Sequence, residues 1–114
     1  METYAISKNS LIKPRLARMT MDLVRGKDVD TARGILENTN TKASEMILKV
    51  LNSAVANAVN NFGASEADLK IKECYVNPGR VYKRIQFASR GNVDRHDKRS
   101  SHIYVCVTDG KEEK

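Results

Sequence analysis

The sequence predicts an α+β fold: three helices packed on a small antiparallel sheet, with one long protruding β-hairpin. Between Pro14 and Phe62, apolar residues recur at steps of three and four, the spacing of helices with one buried face. From Leu69 onward the spacing changes to alternation, as expected of two strands. Between those strands, residues 80–102 hold seven Lys and Arg against Asp94 and Asp97, so +5 of the chain's net +6 sits in one stretch. A core cannot hold so many unpaired cations, because burying each would cost on the order of several kcal/mol. The stretch is therefore expected to leave the core as an arm.

At 114 residues the chain is expected to form one domain, residues 1–114, with residues 80–102 as its β-hairpin arm. A hydrophobic content of 40% excludes a disordered tail, and a pI near 9.5 points to nucleic acid first and an anionic membrane second. No apolar run approaches the roughly 18 residues of a spanning helix. The N-terminus does not resemble an export signal, so a cytoplasmic protein without a membrane partner is expected. Four Tyr, two Phe and no Trp make base stacking an unpromising main mode of binding.

Taken in order, Thr3–Ser10 reads as a strand or extended arm in which Tyr4 and Ile6 alternate with smaller residues. Pro14 suits a helix start, since its missing N–H costs nothing in the first turn. Leu16, Ala17, Met19, Thr20, Leu23 and Val24 give that helix an apolar stripe ending at Gly26. Lys13, Arg15, Arg18, Arg25 and Lys27 surround it, and admit two readings: a solvated face or contact with phosphate. Asp28 or Asp30 begins a short second helix through Ile35 and Leu36. Thr41 caps the third and longest, whose stripe runs from Ala43 through Ile47, Leu51 and Ala58 to Phe62, with Gly63 as its stop. The asparagines beside that stripe read as surface filler.

Leu69–Val76 and Ile103–Val107 are the core ends of the two long strands, with Ile103, Val105 and Val107 facing inward. Each arm beyond Tyr75 has about fourteen residues, or roughly 45 Å at ~3.3 Å per residue. A bend or bulge is expected at Asn77-Pro78-Gly79, because Pro78 removes a ladder donor. The turn falls at Ser89–Asn92.

Little in the sequence suggests catalysis. Its six glycines are isolated, so there is no phosphate-cradling loop, and no Ser or Cys stands in a nucleophile motif. Asp94, His96 and Asp97 sit on a ribbon with nothing to exclude water. Cys74 and Cys106 are read as buried free thiols, although neighbouring strands leave a disulfide geometrically open. With His96 and His102 they form no compact zinc pattern, so no metal, cofactor or small-molecule substrate is expected. Arg offers phosphate a planar fork, and spaced cations on a ribbon can follow a groove in folded RNA. A dimeric DNA-bending protein would carry an apolar wedge at the arm tip, where this chain has Ser-Arg-Gly-Asn. A module whose arm docks on an acidic protein is the third class.

Several motifs carry a family resemblance: Pro14-Arg15-x-Ala17-Arg18, Leu23-Val24-Arg25-Gly26-Lys27, Val50-Leu51-x-Ser53-Ala54-x-Ala56-Asn57-Ala58, Lys83-Arg84-Ile85, Arg90-Gly91, Lys98-Arg99 and Ser101-His102-Ile103. In this order and spacing the chain resembles the bacterial large-subunit ribosomal protein numbered twenty-two, over nearly its whole length. The resemblance implies a non-enzymatic assembly protein that binds large-subunit rRNA and neighbouring ribosomal proteins. It also implies a hairpin lining the nascent-peptide exit tunnel. The rRNA-contacting candidates are Lys13, Arg15, Arg18, Arg25 and Lys27 on the globular part, and Arg80, Lys83, Arg84, Arg90, Arg95, Lys98, Arg99 and His102 on the arm. Ala88, Ser89, Arg90, Gly91 and Asn92 form the tunnel-facing tip. Ala88 and Asn92 stand where the family is usually basic, Phe87 where Pro is often found, and His96 and Asp97 where apolar residues are common. These departures lower the positive charge of the tip.

Overall fold

Strand β3 (Val93–Thr108) occupies the centre of a three-stranded antiparallel sheet, flanked by β1 (Glu2–Ser10) and β2 (Lys70–Phe87) in the order β1-β3-β2. The computed structural model describes residues 2–87 and 93–110. Helices α1 (Pro14–Val24) and α3 (Lys42–Phe62) pack on the sheet, α2 (Val29–Asn38) packs against both, and a 3₁₀ turn at Glu66–Asp68 leads into β2. The architecture is the predicted α+β one. Its extents of 65 × 28 × 19 Å show how far the β2–β3 ribbon elongates the molecule.

Period-2 alternation splits β3 between two environments. Ile103, Val105 and Val107 are buried against the helices, as predicted, with Leu51, Ala54, Val55 and Ala58 of α3 among their core companions. Thr41 and Ser44 form a reciprocal capping box at the start of α3, and Gly63 closes it in the left-handed region (φ 65°). Asp28 stands at the N-cap of α2 through its backbone only: its carbonyl accepts from Ala32 N at 2.8 Å, and its side chain caps nothing.

One predicted face needs correction, and one that alternation left open is settled. In α1 the buried face is Ala17, Thr20, Met21 and Val24, whereas Leu16, Met19 and Leu23 are 51%, 61% and 49% exposed. The apolar arc of α1 is wider than one contact face. Its small residue, Ala17, allows close approach to the sheet, and the larger side chains on the adjoining ridge stay outside. On β1 the residues turned to the core are Thr3 and Ala5, while Tyr4 and Ile6 lie on the outer face. There Tyr4, Tyr104 and Tyr75 stack across all three strands, with ring centroids 5.4 and 4.4 Å apart. Phe62, at the end of the α3 stripe, is also exposed.

The thiols lie on opposite faces of the sheet. Cys74 pairs with Val105 and shares its core face, while Cys106 lies between the core-facing Val105 and Val107 and so turns outward. Both are buried and free, and this geometry rules out a bond between them. Burial pushes both thiols above their ordinary pKa, with Arg25 partly offsetting the shift at Cys74.

The corrected α1 face sets a stability test. Leu51→Ala, which opens a cavity at a fully buried position, should cost roughly 2–5 kcal/mol in urea denaturation. Leu16→Ala should cost less than about 0.5 kcal/mol. Equal losses would return Leu16 to the core.

Candidate nucleic-acid interface

The free edge of β2 explains where α1 lies. An edge strand presents unpaired backbone groups that need a cover. Lys27 O accepts from Ile71 N at 3.0 Å and Val29 N donates to Leu69 O at 3.2 Å, so the α1–α2 connection closes the lower part of that edge. Gly26 makes the turn possible at φ 75°. Further along, Arg25 Nη2 donates to Cys74 O (3.1 Å) and Arg18 Nε to Val76 O (3.2 Å). Carbonyls two residues apart point to the same side of a strand, so the two arginines fasten α1 along one edge. Arg25 Nη1 also donates to Asp22 Oδ1 at 2.5 Å.

This fastening brings the N-terminus of α1 to the root of the arm. The register of β2 on β3 slips between the Pro78–Ser101 and Val81–Arg99 pairs, so two residues of β2 bulge opposite Ser100. The bulge falls where Pro78 predicted it. At the same level Ser101, fully buried, donates its hydroxyl to Ile12 O at 2.7 Å and ties β3 to the loop before α1. Between them opens a cleft of about 620 Å³ lined by Lys13, Arg15, Arg18 and Arg99, with Pro78, Gly79, Val81 and Ser100 completing its walls. Among the described residues, no acidic side chain lines it. Lys13, Arg15, Arg18 and Arg99 are all exposed.

The predicted site residues divide accordingly. Lys13, Arg15, Arg18 and Arg99 converge on the cleft. Arg25 and Lys27 lie at the other end of α1, away from the cleft, and Arg25 is already engaged by Asp22 and Cys74 O. His102 is half-buried and stands opposite Asn77, one step inward from the bulge. Arg80 lies within the bulge. Beyond it, backbone pairing continues to Phe87–Val93 and sets Lys83 opposite Asp97, Arg84 opposite His96, Arg95 opposite Ile85 and Lys98 opposite Tyr82. The side chains of Arg80, Lys83, Arg84, Arg95 and Lys98, and all of Ala88–Asn92 including Arg90, lie outside the described residues. Sequence reasoning missed Ser101, whose signal was a Ser pair in a strand where the charge run meets the apolar run. It also missed that Arg18 and Arg25 answer a strand edge, which composition cannot disclose.

Among the described residues, no group of His, Cys, Asp and Glu could hold a metal ion. No described helix is long and apolar enough to cross a membrane.

The molecule is thus a small basic α+β protein with a paired β-arm and a cleft lined by four cations at its root. Residues 5–108 match the family Ribosomal protein L22p/L17e. Among similar proteins, the large ribosomal subunit protein uL22 of Halothermothrix orenii is 44% identical over 112 residues, covering 98% of this chain and 99% of the relative. Those of Mycoplasmopsis agalactiae and Staphylococcus haemolyticus are 48% and 42% identical, covering 90% and 99% of this chain and 90% and 97% of the relatives. The chain belongs to the L22p/L17e family of ribosomal proteins, whose role is structural and not enzymatic.

The division of the cations leads to a prediction. Arg18→Ala and Arg25→Ala should each lower the unfolding free energy measured in urea, by about 0.5–1.5 kcal/mol per lost hydrogen bond. Arg15→Ala should leave it unchanged within about 0.5 kcal/mol.

Proposed function

We propose that this chain binds large-subunit rRNA, with the cleft at the root of the arm as its anchor. Family membership makes it a structural constituent of the large ribosomal subunit, with rRNA and ribosomal proteins as its partners and the bacterial cytoplasm as its location. The observation that carries the rRNA reading is the meeting of Lys13, Arg15, Arg18 and Arg99 in one concave site with no acid among its described lining residues. Four cations around a cleft suit the phosphates of a folded strand, and arginines can hold phosphate oxygens two at a time.

The arm extends the same surface. Lys83, Arg84, Arg95 and Lys98 follow on its paired strands, with Arg80 at the bulge and His102 at its base; Arg25 and Lys27 add charge at the far end of α1. Together they supply phosphate contacts over a length that the globular part alone does not offer, and this supports a role in holding rRNA segments together during assembly. Arg90 and the rest of Ala88–Asn92 are proposed to line the exit tunnel and face the nascent peptide. The family resemblance and the elongation of the molecule support that placement. A tip with Ala88 and Asn92 in place of basic residues would present a less positive wall to the peptide.

The test is affinity for large-subunit rRNA as a function of salt. The full chain should lose about 0.7–0.9 log units of affinity per log unit of salt for each phosphate neutralised. Arg15→Ala with Arg99→Ala should flatten that slope by about one to two units. A slope unchanged by this pair would remove the cleft from the interface, and equal affinity for duplex DNA would contradict the rRNA reading.

A further inference from the structure

The exposed ridge of α1 borders a second concavity, on the side of the helix away from the rRNA cleft. It measures about 400 Å³ and lies between the β1–α1 loop, α1 and the first residues of α3. Leu11, Ile12, Leu16, Met19 and Ala43 make its surface apolar. Leu11, Leu16 and Met19 are each about half exposed or more, although they stand side by side.

Its few polar side chains limit what can occupy it. Thr20 Oγ1 donates to Leu16 O within α1, at 3.4 Å. Thr41 Oγ1 accepts from Ser44 N as the cap of α3. Both hydroxyls already serve their own helices, and the groove has no aromatic ring. An extruded base would find no aromatic stacking partner among these residues. The charged groups at the groove are Lys13 and Lys42, with no acid among the lining residues. Lys42 opens α3, so the positive end of that helix dipole adds to the field.

We propose that this groove docks a protein segment with apolar anchor side chains and an Asp or Glu close beside them, supplied by a neighbouring protein of the large subunit. The inference rests on the chain's place in that subunit. Leu16 and Met19 supply the apolar contact, Thr20 and Ala43 the floor, and Lys13 and Lys42 select an acidic flank. Lys13 also lines the rRNA cleft, so the docked segment lies beside rRNA and the two contacts reinforce each other's orientation.

The experiment places a diazirine-bearing aliphatic residue at position 19 of the full-length chain, assembles it into large subunits, purifies these and irradiates them. The product expected is a covalent link to a ribosomal-protein peptide with an apolar residue and an Asp or Glu within four positions of the linked site. Lys42→Glu should cut its yield severalfold. Links to rRNA, links to peptides without an acid, or no product above the unirradiated control would each overturn the proposal. The same probe at position 99 should label rRNA. Failure there with success at position 19 would count against the rRNA cleft and leave the groove assignment standing.

Discussion

The backbone pairing of β3 is the constraint on which the rest of the molecule depends. One strand runs from Val93 to Thr108, and it serves two environments without a break in chain direction. At one end Ile103, Val105 and Val107 are sealed beneath α1 and α3. At the other, the same hydrogen-bond ladder continues with β2 as far as Val93. A two-stranded ribbon alone is marginally stable in water, so the covered end anchors the β3 strand on which the free end continues beyond the bulge.

The junction between these environments is built, not merely passed through. Pro78 and the bulge release β2 from strict register, and Ser101 pins β3 to Ile12. Arg18 and Arg25 fasten α1 along the β2 edge. Each contact satisfies a backbone group that would otherwise need water, and together they bring Lys13, Arg15 and Arg18 alongside Arg99. The cleft is therefore a consequence of how the fold closes its own edge.

Much of this was legible in the sequence. The period of α3, the Thr41 cap, Gly63, the inward trio on β3 and the break at Pro78 all follow from local rules and were found where expected. The exposed Leu16, Met19 and Leu23 were not legible, because spacing on a wide apolar arc does not say which part a sheet covers. Nor was the outward turn of Tyr4 and Ile6: alternation gives two faces but not which one meets the helices, and here small Thr3 and Ala5 allow α3 to approach. The cation count marked candidates but could not separate Arg15 from Arg25, because a strand edge and a phosphate both attract a guanidinium.

If one ladder joins a sealed core to an arm that rRNA completes, amide exchange along β3 measures the difference directly. In the free chain, amides at 103–107 should exchange with the global unfolding reaction, and those at 93–98 faster by on the order of 100-fold or more. After incorporation into the large subunit the two segments should approach equal protection. Uniform protection along β3 in the free chain, or an arm that exchanges as fast in the subunit as outside it, would contradict the account.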